Sequence, residues 1–567
     1  MIELLKQIKT PILVLVAITL TIVSLIKIPI VDRIVLENDW QYPFFYASAL
    51  PSIYYFAVVY LALLALLVGN DHCKLISLLS LALLTELTPS LMLVNPWLPD
   101  QYPYLAEPVW LVKNAYIASI HYLAEVPGLG LMFSQLMLVT GLDPFILSKA
   151  FSLISAIILV LPTFLLSKGL CGNGALIPLL FLSVNTAQIN TFHRSSYFFI
   201  LFLIIILSLW NRVTKRAAGY SIITIVTFSA AVLAYPGSII IPSIILVTPT
   251  LLKFARSVQN VIFAKRVEKA DELDIKFSFL YIVGVLFACI FLAWCIYCTS
   301  GNLALIARTI NQALTELSEP FALLTPHSTL GHVPMTPLFA SILRARMLLV
   351  LIVLGLGLLG PFYMILRKKP EHFIHMMYLS LLIVLLPYIF TSWNQWFVTH
   401  FYTYTLLLAT ASIAVFQRLK QSTCIKTIVA ALIIIGLAIL PFNRYASVPY
   451  LHPTTQELKA SYFIHSYYIE GGCVYYTEYP PFTLIQILIN KNPRWELSYM
   501  KPEEWLEGKT TKSAGYVLSY RVLARDAYYI YPVSRQNLLD NLANTLKESH
   551  NLIYCNDYYI KIFMPTV

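Results

Sequence analysis

"FLYIVGVLFACIFLAWCIYC", residues 279–298, is a run of twenty residues without a charge. A helix rises 1.5 Å per residue, so this run reaches about 30 Å, the thickness of the hydrocarbon core of a bilayer. A basic stretch from Lys253 to Lys276 precedes it, and a long polar loop, 299–343, follows it. Apolar runs of comparable length recur from Ile12 to Leu440. The composition agrees: 58% of the 567 residues are hydrophobic, 12% are charged, and the mean hydropathy is +0.73. A soluble domain would carry about 25% charged residues. The expected fold class is mainly α: a polytopic helical membrane protein.

Working outward from that run, spans are expected at 11–30, 52–69, 75–94, 127–142, 145–167, 174–190, 196–210, 219–235, 238–252, 277–298, 345–366, 374–391, 397–416 and 427–441. That makes about 13–14 transmembrane helices. The net charge of +11 reflects Lys and Arg gathered in short loops, with no basic, aromatic-interleaved patch of the kind that binds nucleic acid. The clusters are Arg212/Lys215/Arg216, Lys253–Lys276, Arg367/Lys368/Lys369 and Arg418/Lys420/Lys426, and the positive-inside rule places them in the cytoplasm. Lys6 and Lys9 put the N-terminus on the same side, ahead of an uncleaved first span. Outer loops are then expected at 31–51, 95–126 and 299–343. Strict alternation from the N-terminus would put Arg212–Arg216 outside. One early segment therefore does not cross, or two merge, and 127–142, which opens with Pro-Gly, is the first suspect.

Residues 1–442 form the polytopic part, and 443–567 change character. "PTTQELKASYFIHSYY" opens with Thr454 or Thr455 as a helix cap and Glu457 in the first turn. "CVYYTE" and "GYVLSY" read as strands; "PPFTLIQILIN" and "SRQNLLDNLANTLKESH" read as helices; "LIYCNDYYIKIF" reads as a hairpin turning at Asn556-Asp557. This is a small C-terminal extracytoplasmic α/β domain. Its Cys473 and Cys555 would be free to pair there. Cys295 and Cys298, formally CxxC, sit at the end of a membrane helix and read as packing residues.

The first large outer loop begins "NPWLPDQYPYLAEP" (95–108), with four prolines beside Asp100 and Glu107. "VWLVKNAYIASIHYL" (109–123) segregates polar and apolar residues as a helix lying along the membrane surface would. In "EVPGLGLMFSQLMLVTGLDP" (125–144), Pro-Gly opens a helix and Thr-Gly-Leu-Asp-Pro closes it.

This order resembles the GT-C superfamily, integral-membrane glycosyltransferases that use polyprenyl-phosphate-linked sugars. The stretch "LLSKGLCGNGALIPLLFLSVNTAQINTF" (165–192) is similar to their next two spans, and "NLIYCNDYYIKIF" (551–563) to the tail of the outer domain in archaeal members. The resemblance implies transfer of a sugar from a polyprenyl-phosphate donor to a glycolipid, polysaccharide or protein-glycan acceptor at the outer face of the cell membrane. It implies Asp100 as the catalytic carboxylate, with Glu107 as a second carboxylate for a divalent cation (Mg or Mn) or for orienting the acceptor. Asp39, in "LENDWQYPFF" (36–45), is a rival acid.

For the leaving phosphate the candidates are Arg344 and Arg346 in "SILRARMLL", and His193-Arg194 between two spans. Relatives carry an Arg near the outer end of a late span; "SWNQWFVTHFYTY" (392–404) offers His400 instead. His327 and His332, in the loop "LTPHSTLGHVPMTP", lie in a segment that closes over substrate in the superfamily; Glu316 and Glu319 are nearby. Two histidines with no third ligand make a poor zinc site. No Trp-Trp-Asp motif follows residue 443, only Trp495 and Trp505, which argues against oligosaccharyl transfer. A lipid-linked saccharide transporter and a non-catalytic membrane scaffold are the alternative classes.

Overall fold

In lipid an apolar segment must satisfy its own backbone, so the long apolar runs become helices. The computed structural model describes residues 2–31, 45–93, 101–114, 127–185, 193–215, 217–263, 270–299, 307, 311, 337–366, 373–390, 402–420, 423–445, 455, 458–460, 462–463, 473–476, 496–499, 515–519, 534–556 and 560–565. Its helices are α1 (Ile2–Ile26), α2 (Phe45–Ala49), α3 (Ser52–Leu67), α4 (Asp71–Met92), α5 (Gln101–Asn114), α6 (Gly128–Thr140), α7 (Pro144–Cys171), α8 (Leu176–Val184), α9 (Arg194–Lys215) and α10 (Gly219–Ala234). A 3₁₀ turn (Pro236–Ile239) leads into α11 (Ile240–Phe263). Then come α12 (Ala270–Cys298), α13 (Pro337–Leu366), α14 (Phe373–Phe390), α15 (Tyr402–Lys420) and α16 (Thr423–Tyr445). Among the described residues six apolar helical segments are long enough to cross a membrane, and shorter ones such as Ser52–Leu67 and Gly219–Ala234 accompany them.

Polar contacts fix the two ends of the bundle. At one end the Lys168 ammonium meets Asp71 at 2.9 Å, Lys74 donates to Asn173 at 3.0 Å, and Arg418 donates to the Leu170 carbonyl at 2.8 Å. Gly169 lies close against Trp210 there, which puts the Arg212–Lys215 end of α9 on the same side. This is the basic end. At the opposite end Lys149 donates to the Leu93 carbonyl at 2.9 Å, Val31 pairs with Leu93, and Tyr404 donates to the Ser195 carbonyl at 3.4 Å.

These contacts resolve the early alternation. Gly128 starts α6 against the backbone of Leu233 and Ala234, where α10 ends, and α7 begins at that same end beside Leu93. With 13 residues α6 is about 20 Å long, too short to cross, and both its neighbours leave from one side. The suspected segment is therefore non-spanning, and the Arg212 cluster falls at the basic end as the charges require. The break after α6 follows the sequence. Gly141 takes a left-handed φ of 66°, a conformation that favours glycine, and the Asp143 side chain accepts from the Phe145 amide at 2.8 Å to cap α7.

Of the surface helix expected at 109–123, residues 109–114 are helical and belong to a helix that starts earlier. α5 covers Gln101–Asn114, and residues 104–109 are all buried. Six consecutive buried positions exceed one helical turn, so α5 is covered all round at 104–109, while Lys113 near its end is exposed. Residues 115–126 lie outside the described residues.

In the C-terminal part the strands are β1 (Cys473–Tyr476), β2 (Glu496–Tyr499), β3 (Gly515–Ser519), β4 (His550–Asn556) and β5 (Ile560–Pro565), with helix α17 (Ser534–Ser549) before β4. They form a mixed sheet in the order β2-β1-β3-β5-β4, parallel at β1–β2 and β1–β3 and antiparallel at the β4–β5 hairpin. This α/β sheet matches the expected "CVYYTE" and "GYVLSY" strands, the 534–549 helix and the hairpin; the helix expected at 480–490 lies outside the described residues. The sheet order excludes the Cys473–Cys555 disulfide. β3 and β5 stand between their strands, a separation of about 14 Å, twice what a disulfide bridges. Cys295 and Cys298 are both free thiols, Cys295 buried in the core.

Candidate functional site

The end of the bundle away from the basic loops holds a buried carboxylate. Glu107, on the second turn of α5, is 6% exposed. Its carboxylate rests against α6 where Gly130 leaves a gap: a Cβ added there would lie 2.5 Å from Glu107 Oε2 and 2.7 Å from Cγ. The other oxygen, Oε1, has no hydrogen-bond partner among the described residues. Burial pushes the Glu107 carboxyl from its ordinary value of 4.5 up to about 8, with the nearby Arg194 guanidinium acting in the opposite direction.

Arg194 opens α9, the helix that follows an interrupted apolar run. Its guanidinium carbon lies 5.8 Å from the centre of the Tyr104 ring on α5 and 5.8 Å from that of Tyr235, where α10 ends. Tyr104 also meets His193 edge-on at 4.6 Å. His193 Nδ1 accepts from the Ser195 amide at 3.1 Å and lies 2.6 Å from the Ser195 hydroxyl, so that nitrogen caps the start of α9. Ser238, in the 3₁₀ turn after Tyr235, is fully buried with its hydroxyl unpartnered among the described residues. Phe198 and Tyr404 back this group from below, their rings 5.4 Å apart.

Three of the residues expected from sequence are thus brought together: Glu107, His193 and Arg194. Arg344 lies about two turns into α13 and is exposed, making no described contact with this group. Arg346 is on the same helix, but its side chain lies outside the described residues, as do Asp100, Asp39, His327, His332 and His400. Sequence reasoning missed Tyr104, Tyr235 and Gly130. The signals were present in "QYPYLAEP", in the Tyr-Pro-Gly that ends the run before residue 238, and in the second glycine of "PGLG".

A divalent cation is a poor match to Glu107 as it stands. The Arg194 guanidinium is near enough to act on its charge, and the described residues contain no group of three His, Cys, Asp or Glu that would hold a metal. What the arrangement offers is acid–base and anion chemistry. A carboxylic acid that titrates near neutral pH can give or take a proton, and a guanidinium held between two rings presents fixed positive charge.

Fold and site together define a polytopic helical membrane protein with a buried carboxylate–guanidinium site at the end of the bundle opposite its basic loops. The chain is similar in structure to ArnT from Cupriavidus metallidurans, whose crystal structure is bound to undecaprenyl phosphate: 10% identity and a TM-score of 0.45, covering 86% of this chain and 97% of that one. No protein-family model and no curated protein sequence matches.

Proposed function

We propose that this protein is a membrane glycosyltransferase that moves a sugar from a polyprenyl-phosphate donor to a glycolipid, polysaccharide or protein-glycan acceptor. The observation that carries this reading is the buried Glu107 carboxyl, with the Arg194 guanidinium near enough to act on its charge and set beside Tyr104 of the same helix, at the end of the bundle opposite its basic loops. The basic end faces the cytoplasm by the positive-inside rule, so the site lies toward the outer face, on the side of the C-terminal domain.

The reaction forms one bond and breaks one. An acceptor hydroxyl oxygen attacks the anomeric carbon of the sugar, and the bond from that carbon to the phosphate oxygen breaks. Its electron pair leaves with the polyprenyl phosphate, and the hydroxyl proton passes to a carboxylate. Asp100 is assigned as that base, on the strength of its place in the first large outer loop. Glu107, its carboxyl pushed up to about 8 by burial, can donate as well as accept a hydrogen bond when protonated, and it orients the acceptor. Arg194 balances the charge that develops on the leaving phosphate.

The test is mass spectrometry of lipid-linked saccharides and surface glycans in cells expressing Asp100→Asn at the normal level. The expected result is a glycan shorter by one sugar with the donor lipid accumulating. Unchanged profiles, in a background where deletion of the protein gives a defect, would remove the chemistry from Asp100.

A further inference from the structure

α5 is buried at six consecutive positions, 104–109, yet it sits at the end of the bundle rather than within it. Phe133 of α6 and Phe151 of α7 belong to the apolar cluster that holds Tyr104, Leu105 and Val109. Leu129 of α6, Leu147 of α7 and Ile200 of α9 belong to it too, and so does Leu458, 9% exposed, from the C-terminal part of the chain. Ala460, beside it in sequence, is 2% exposed. A further contact ties this short segment down. Tyr462 is close enough to Asp143, the cap of α7, for that charge to act on its hydroxyl.

We infer that Leu458, with Ala460 beside it, is part of a wall of the Glu107 site and that Leu458 is a positioning residue for its carboxylate. Leu458 is the one member of this cluster that comes from beyond the helical bundle among the described residues, and its seating among the residues that flank Glu107 helps keep the carboxylate dry and against Gly130. The C-terminal domain is then part of the site rather than an appendage displayed beside it. The inference stands on packing and does not depend on which reaction the site performs.

It is tested by carbodiimide-driven coupling of a small water-soluble amine to carboxylates in the purified full-length protein, read by peptide mass spectrometry. In the wild type, exposed Asp143 should label while Glu107 is protected. Leu458→Asp should raise labelling of Glu107 at least about tenfold by unseating the segment, and Leu458→Met should keep the protection. Should Leu458→Asp fail to elute as folded protein, Leu458→Ala serves in its place, with a smaller rise expected. A folded Leu458→Asp or Leu458→Ala protein whose Glu107 is as protected as in the wild type would overturn the inference. So would a Leu458→Met protein that labels as strongly as Leu458→Asp. No turnover enters the measurement, so failure of the transferase reading would leave this result intact.

Discussion

Replacing Glu107 by glutamine should change how the stability of the protein depends on pH. The carboxyl has an ordinary value of 4.5 and is pushed up to about 8 in the folded chain. Between those values the folded protein holds a proton that the unfolded chain has released, so the folded state binds more protons and stability falls as pH rises. The contribution is fully present below pH 4.5, declines across the window, and is gone above about 8. A shift of that size corresponds to about 5 kcal/mol across the whole window. Glutamine fills the same space, cannot ionise, and removes the slope.

The measurement is thermal unfolding in detergent, followed by tryptophan fluorescence from pH 5 to pH 9, for wild type and Glu107→Gln in parallel. The wild-type melting temperature should fall relative to the variant by a few degrees, on the order of 5 °C, over that range. His193 and every other titrating group is present in both proteins and cancels in the difference. Parallel curves would mean that Glu107 ionises as an ordinary surface carboxylate, and the buried site described above would be wrong. The same variant separates two chemical roles. If Glu107 orients the acceptor and Asp100 takes the proton, Glu107→Gln should retain transfer within about tenfold while Asp100→Asn loses at least about 100-fold.

Gly130→Ala places a methyl on the Glu107 carboxylate, the movable end of a flexible side chain. The carboxylate should swing out, with a stability loss of about 1–3 kcal/mol and a flatter pH dependence than wild type; an unaltered dependence would mean that the gap at Gly130 does not seat it. Arg194→Lys keeps the charge but loses the planar face set against Tyr104 and Tyr235. Its KM for the donor lipid should rise about tenfold or more, and unchanged kinetics would remove Arg194 from the phosphate side. Lys168→Met breaks the ion pair to Asp71, whose side chains are 53% and 38% exposed, and should alter stability by less than about 1 kcal/mol in a thermal melt.

Much of the architecture can be read locally. Whether a run such as 279–298 crosses a bilayer depends on its own length and polarity. The stop at Thr140-Gly141 and restart at Asp143-Pro144 depend on a left-handed glycine and a side-chain cap within a few residues. The β4–β5 hairpin is local in the same way. Glu107 was legible as a candidate because a carboxylate among prolines and aromatics at a membrane surface is costly to keep, and His193-Arg194 because basic residues are scarce at that end.

The tertiary structure decided what depends on neighbours distant in sequence. Apolar helices look alike to lipid and to one another, so hydropathy could not say that α6 stays on one side; the seat of Gly128 on Leu233 and Ala234 did. The same limit hid the cover that Leu458 gives α5 and the strands that separate Cys473 from Cys555. Above all, the sequence named a glutamate and an arginine but not their meeting. An ionisation near neutral pH is set by the surrounding dielectric and the nearest charge, and three helices, α5, α6 and α9, had to pack before Glu107 had either.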